Sequence, residues 1–207
     1  MRFPENDKGP TPMPSRKVLR LGAALIVVAG AAGAAPYLMS EANEARIEHA
    51  MVKGGYVIYL RHADRLSGPR EGFSAETPLA AFADCTKQRN LSTDGRGEAA
   101  RIGQAFEHFS VPIGDVYALP LCRTRETAEL AFGRARLETQ LYDPSFVERM
   151  LEERPAAGTN TVLVDTEDQV RQVAGVQLEP GEAAIFQPDG KGGFRYRGML
   201  DQDDLIR

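Results

Sequence analysis

The chain has 207 residues, of which 43% are hydrophobic and 26% charged, an ordinary globular composition with room for a single core from about residue 50 onward. Its net charge of −4 at pH 7 argues against nucleic-acid binding through bulk charge. No internal repeat is present, and two cysteines allow no more than one disulfide.

Residues 1–20 form a polar, Pro-rich basic tail. It holds Arg2, Lys8, Arg16, Lys17 and Arg20 against Glu5 and Asp7, a charge of +3, which leaves −7 for the rest. Residues 21–39 carry no charge and are long enough to cross a bilayer. The basic flank predicts that the tail stays inside while the remainder is exported. The apolar segment then reads either as a retained signal anchor or as a signal peptide cut near Ala32-Gly33-Ala34. The long leader and long apolar run favour the anchor. Residues 40–53 read as a linker or stalk, and residues 54–207 as the folded domain. The expected location is the periplasm, attached by a single pass or free if the segment is cleaved.

The domain opens on the apolar run Gly55-Tyr56-Val57-Ile58-Tyr59-Leu60, a buried strand that ends at Arg61-His62. Strand ends in open α/β sheets collect ligands, and Arg beside His suits phosphate: a fork that grips oxygens and a nitrogen that can attack phosphorus. A long irregular segment follows, Ser67 to Asn90, broken by Gly68-Pro69, Gly72 and Pro78; it reads as a lid or rim, with an inert surface loop as the alternative. Leu91-Ser92-Thr93-Asp94-Gly95-Arg96 leads into a helix over 94–109 with Ala99, Ile102, Phe106 and Phe109 on one face. A strand over 115–119 runs into Leu121-Cys122-Arg123-Thr124-Arg125, where a second helix starts. A short helix over 145–153 and a strand over 161–164 continue the alternation. Runs at 182–186 and 194–198 flank Pro188-Asp189-Gly190 as an edge hairpin. Alternating strands and helices predict an α/β domain, a three-layer αβα sandwich on a mostly parallel sheet.

Taken in order, the blocks Leu60-Arg61-His62-Ala63, Leu91 to Arg96 and Leu121 to Ala128 resemble the histidine phosphatase superfamily, in its phosphoglycerate-mutase-like branch, from about Gly54 to Leu200. The resemblance implies that His62 is a catalytic nucleophile forming a phosphohistidine, with Arg61 and Arg123 holding the phosphoryl group. Independently, a phosphomonoester carries about two negative charges and needs cations or N–H groups around it. Arg61 and Arg123, each at a strand end, fit that need; Arg125 reads as a solvated neighbour. Asp64 and Glu71 are candidates for the acid that protonates the leaving group only because they follow the first motif, and the ordinary reading of each is a surface carboxylate.

The chain departs from the family where a second histidine is expected, in a Gly-His pair after a late strand. Asp165-Thr166 stands there, within Thr161-Val162-Leu163-Val164-Asp165-Thr166-Glu167-Asp168-Gln169. Of the other two histidines, His49 precedes the first strand and His108 falls on the polar face of its helix. Asp165, Glu167 and Asp168 would place carboxylates where an anion is expected, at a cost of about a few kcal/mol per like-charge contact. Three readings of them remain open: a capping box from Thr166 to Gln169, an internal ion cluster with Arg61 and Arg123, and a metal site, which adjacent residues seldom form alone. A smaller departure is Leu119 where the family often has Ser before Pro120-Leu121.

In an exported domain Cys85 and Cys122 pair most simply as one disulfide, tying the lid segment to the start of the Arg123 helix. Cys122 as a thiolate nucleophile is disfavoured, since such a loop needs Arg six positions on and Ala128 is there. No cofactor is implied. The expected partners are a phosphorylated small molecule or a phosphate-bearing envelope component, and a membrane through residues 21–39. The function expected is phosphomonoester hydrolysis through His62, weakened by the change at Asp165-Thr166. The alternatives are an inactive pseudophosphatase that binds an anion or a protein, and a structural envelope protein using the fold as a scaffold.

Overall fold

Alternation of large apolar residues along the strands decides how this chain layers. In the computed structural model, which describes residue 47 and residues 49–201, strand β1 (Val57–Arg61) sends Ile58 and Leu60 to one face and Val57 and Tyr59 to the other. All four are fully buried, as expected for a central strand covered on both faces. The other strands are β2 (Ile113–Ala118), β3 (Arg136–Leu137), β4 (Asn160–Asp165), β5 (Ala183–Pro188) and β6 (Phe194–Leu200). They form one six-stranded sheet in the order β3-β2-β4-β1-β5-β6. Strands β1 to β4 are parallel, and β5 and β6 add an antiparallel hairpin at one edge.

Helices cover both faces. Helix α1 (Thr93–His108) and α2 (Cys122–Phe132) bury Ile102, Phe106 and Ala128 against Ile58, Leu60 and Val164. On the opposite face α3 (Pro144–Glu152) and α4 (Glu167–Ala174) bury Val147, Leu151 and Val170 against Tyr59 and Leu163. The three-layer α/β expectation therefore holds for the described residues. The sequence boundaries differ by one or two positions, chiefly because β2 and β4 begin earlier, where Ile113 pairs with Asn160. Buried Asn160 satisfies that junction through its side chain, accepting from Tyr56 N and donating to the Met51 and Pro112 carbonyls.

The topology places the site. The chain leaves β1 through α1 on one face and leaves the adjacent β4 through α4 on the other, so the two connections part and open a crevice beyond their C-terminal ends. Arg61 and Asp165 face each other in register at that point. Residues 21–39 lie outside the described residues, among which no helix is long and apolar enough to cross a membrane.

Candidate active site

His62 follows the last residue of β1, and its backbone is tied to the end of β4 and to Gly181. Its N–H donates to the Asp165 carbonyl at 2.9 Å, while the next peptides are fixed by both helices of the first face. Ala63 N donates to Thr127 Oγ1 of α2 at 3.2 Å, and Asp64 N donates to Glu98 Oε2 of α1 at 2.8 Å. Gly95 lets α1 press against this turn, since a Cβ there would overlap the Asp64 backbone carbonyl. Asp64 itself is solvent-exposed, lies outside the residues that line the cavity and accepts from Ser92 Oγ, the N-cap of α1.

The imidazole is 2% exposed and its two contacts agree on one tautomer. Nδ1 lies 2.8 Å from the Ala63 carbonyl, which can only accept, so Nδ1 carries the proton. Arg123 Nε–H donates to Nε2 at 3.1 Å, so the lone pair is on Nε2. Burial, then the Arg123 charge, push the His62 pKa down to about 3. The ring is therefore neutral at physiological pH, the form that can attack phosphorus.

His62, Arg61, Arg123 and Thr166 line one cavity of about 80 Å3 together with Arg65, Arg70, Arg89, Glu167 and Asp168. The expected trio of Arg61, His62 and Arg123 thus converges, while His49 and His108 are solvent-exposed and apart from it. Arg61 donates through Nη1 to Glu167 Oε2 at 2.6 Å and to the Leu178 carbonyl, leaving its buried Nε without a partner. Buried Arg123 pairs with Glu71 Oε1 at 2.9 Å.

Glu71 corrects the reading of it as a surface carboxylate. Its side chain is 4% exposed and bridges Arg123 and Arg89, whose backbone N–H and guanidinium both donate to it. Burial opposes its ionisation, but the Arg89 hydrogen bonds and the Arg123 charge outweigh that and hold its carboxyl down at about 2. An ionised Glu71 cannot protonate a leaving group; it occupies a guanidinium that an oxyanion would use. Glu71→Gln should therefore bind inorganic phosphate about tenfold more tightly than the parent, by removing a competing charge-assisted pair. Calorimetric titration of both proteins checks this, and equal or weaker affinity in the variant would refute the competition.

The carboxylates after β4 do not act as one cluster. Asp165 is fully buried, does not line the cavity, and accepts from Thr166 N at 2.6 Å through Oδ1. Its Oδ2 lies 2.9 Å from Tyr59 Oη, which also lies 2.7 Å from the Thr166 carbonyl. Tyr59 has one proton to share between these two acceptors, the Asp165 carboxyl and the Thr166 carbonyl. Burial raises the Asp165 pKa to about 7, against the opposing effect of the Thr166 N–H and Tyr59 hydrogen bonds. The ion cluster expected with both arginines is therefore half formed: Glu167 pairs with Arg61, Asp168 pairs with Arg70 and Arg171, and Arg123 takes Glu71 instead. The capping-box reading is not met either, because Thr166 caps α4 without a side-chain bond and Gln169 Oε1 is buried without a partner. No group of residues able to hold a metal occurs among the described residues.

The segment between β1 and α1 is the rim of the site. Cys85 and Cys122 form the expected disulfide, and Gln88 Oε1 accepts from Cys122 N at 2.9 Å. Phe82 is buried beside Phe73 and Tyr142. Through these anchors the segment delivers Arg70, Glu71 and Arg89 to the cavity. Arg65, Arg70 and Arg89 were not singled out from sequence. The spacing of three between His62 and Arg65 is the single local signal; the other two arrive by tertiary folding of an irregular segment.

Compared by sequence, the chain matches no family model and no curated protein. Compared by structure, it is similar to the protein histidine phosphatase SixA complexed with tungstate, with a TM-score of 0.54 and 14% identity over 72% of this chain and 99% of that one. It is likewise similar to a protein assigned as the phosphohistidine phosphatase SixA of Nakamurella multipartitia, with a TM-score of 0.51 and 18% identity over 71% of this chain and 95% of that one. The fold is the histidine phosphatase fold.

Proposed function

We propose that this chain is a phosphohydrolase working through a phosphohistidine on His62. The observation that carries the reading is a neutral imidazole whose lone pair, on Nε2, opens among arginines at the end of β1. An incoming phosphoryl group would take over the Arg123 N–H now donated to Nε2, and so free the lone pair it needs. Nε2 then attacks phosphorus, the P–O ester bond breaks, and the departing oxygen takes a proton from solvent. Arg61 and Arg123 offset the charge that builds on the phosphoryl oxygens. Water next attacks phosphorus, the P–N bond breaks, and inorganic phosphate leaves with Nε2 restored. The SixA structure holds tungstate, a tetrahedral oxyanion like phosphate, which supports the same use of the pocket here.

We place the domain outside the cytoplasm, held by residues 21–39 as an anchor or released if they are cut. The Cys85–Cys122 disulfide supports an oxidising compartment. A phosphorylated small molecule or an envelope component bearing phosphate is then the ligand. Phosphate release by the full chain, with the disulfide intact, from a broad panel of phosphomonoesters tests the reading. Release should fall at least about a hundredfold in His62→Ala, as expected when a nucleophile is removed. Release equal in the two proteins, or absent from both across the panel, would overturn the hydrolase reading; absence with retained phosphate binding is the result a pseudophosphatase gives.

A further inference from the structure

A second cavity, of about 340 Å3, opens beside the disulfide and shares no lining residue with the phosphoryl cavity. Cys85 and Cys122 both reach its wall, together with Arg96, Arg125, Glu126 and Glu129. At two places a single step along the chain separates the cavities: Arg89 and Arg123 line the first, Asn90 and Cys122 the second. The bond that joins the rim to α2 is therefore within reach of a small molecule and next to cations of the site.

The two sulfurs are not equivalent. Cys122 is 3% exposed, whereas Cys85 is half-buried on the short 3-10 turn Cys85–Lys87 of the rim. A thiolate from solution attacks the sulfur it can reach, which makes Cys85 Sγ the electrophile and Cys122 Sγ the leaving group. Cys122 is also the first residue of α2, where the positive end of the helix dipole favours a thiolate and so a faster departure. Arg125 Nη2 lies 3.7 Å from Cys85 Sγ, and its own carboxylate, on Glu129, is 3.9 Å away. Arg96, by contrast, is taken by both oxygens of Glu126 at 2.6 and 3.3 Å. A loosely paired guanidinium at the attacked sulfur gives an incoming carboxylate a place to bind.

We propose that Cys85 is a thiol-exchange site, and that its reagent is a small thiol bearing a carboxylate. Its thiolate attacks Cys85 Sγ, the Cys85–Cys122 bond breaks, and Cys122 leaves as a thiolate that takes a proton from solvent. A second thiolate then attacks the adduct and releases Cys85, so two small thiols are oxidised to their disulfide while the protein bridge takes up two electrons. In the reverse direction Cys122 attacks the adduct on Cys85, expels the small thiol and restores the bridge. Opening the bridge frees the rim from α2 and weakens oxyanion binding in the neighbouring cavity. Exchange at Cys85 is independent of what happens to a phosphoryl group at His62.

The folded full chain with its disulfide intact is exposed to mercaptoacetate or 2-mercaptoethanol and quenched with iodoacetamide, and its cysteines are mapped by peptide mass spectrometry. The mixed disulfide should fall on Cys85 and the alkyl group on Cys122, at least about tenfold in excess of the reverse. The ratio of the mercaptoacetate rate to the 2-mercaptoethanol rate should drop about threefold from the parent to Arg125→Gln, the size of one exposed ion pair. Arg125→Lys should keep part of the ratio, and Arg195→Gln, in the edge strand β6, should keep all of it and so exclude bulk charge. Phosphate affinity, titrated at graded ratios of mercaptoacetate to its disulfide, should fall at least about tenfold as the bridge opens and return as it closes. Adducts mainly on Cys122, none on the folded protein, or a rate ratio indifferent to Arg125 would overturn the exchange site. Phosphate affinity that ignores the state of the bridge would overturn its coupling to the neighbouring cavity.

Discussion

Asp165→Asn should leave stability near that of the parent at pH 4 and make the protein more stable than the parent by about 3 to 4 kcal/mol at pH 8. The native carboxyl, fully buried, has its pKa raised from 3.8 to about 7. Between those values the folded state holds a proton that the unfolded chain has lost, so stability falls as pH rises across the window and levels off above it. Asparagine is neutral throughout and fits both contacts: its Oδ1 accepts from Thr166 N and its Nδ2 donates to Tyr59 Oη. His62 works in the opposite sense. Its pKa is lowered from 6.5 to about 3, so it adds stability as pH rises between those values and masks the Asp165 slope in the parent. Subtracting parent from variant removes the His62 contribution. Denaturant unfolding at pH 4, 6 and 8 reads the difference, and a difference that is constant with pH would show that Asp165 is ionised in the native state.

The burial of Asp165 also changes the electrostatics of the pocket. Turned to Tyr59 and outside the cavity lining, it leaves Glu167 and Asp168 as the carboxylates of this segment at the cavity, and each is matched by a guanidinium. The repulsion expected from three facing carboxylates is therefore largely removed by burial in one case and ion pairing in the others. Glu71 is the carboxylate that competes with an anion, and it comes from the rim.

The fold was legible because its signal is local and repeated. The run from Tyr56 to Leu60 and the run from Thr161 to Val164 are apolar on both faces, which only a central strand in a covered sheet satisfies. Pro188-Asp189-Gly190 marked the hairpin by its turn chemistry, and Asp189 Oδ1 indeed accepts from Lys191 N and Gly193 N. The inner site was legible for the same reason: Arg61 and His62 sit where β1 ends, and Arg123 where α2 begins. What could not be read was which carboxylate meets which guanidinium. Glu71 pairs across 52 residues with Arg123 and across 18 with Arg89, and no periodicity encodes such distances. Thr166 and Gln169 show the reverse failure, a local spacing that matches a cap while the side chains do something else.

Reducing the Cys85–Cys122 bridge should lower stability by about 4 kcal/mol in the chain-entropy view for a separation of 37 residues, and should weaken phosphate binding by at least about tenfold. The second effect follows from how the rim is built. Between β1 and α1 the regular structure is two single-turn 3-10 helices, Leu79–Ala83 and Cys85–Lys87, so few backbone bonds hold the segment's shape. Its attachments to the body include the Phe82 ring, the Gln88 bond to Cys122 N, the Glu71 bridge to Arg123, the exposed Arg70 pair with Asp168 and the disulfide itself. Opening the bridge leaves the ring and these polar contacts, of which the Arg70 pair is solvent-exposed, against the regained chain entropy. Arg70, Glu71 and Arg89 would then leave the pocket together. Removing Glu71 frees Arg123, which favours an oxyanion, but losing Arg89 and Arg70 removes cations that Glu71 alone does not balance. The net effect is weaker binding, in contrast to Glu71→Gln, where the rim stays in place. Unfolding curves and phosphate titrations of the oxidised protein, the reduced protein and Cys85→Ala/Cys122→Ala distinguish the cases. Unchanged binding after reduction would mean that the aromatic and ionic anchors hold the rim without the covalent one.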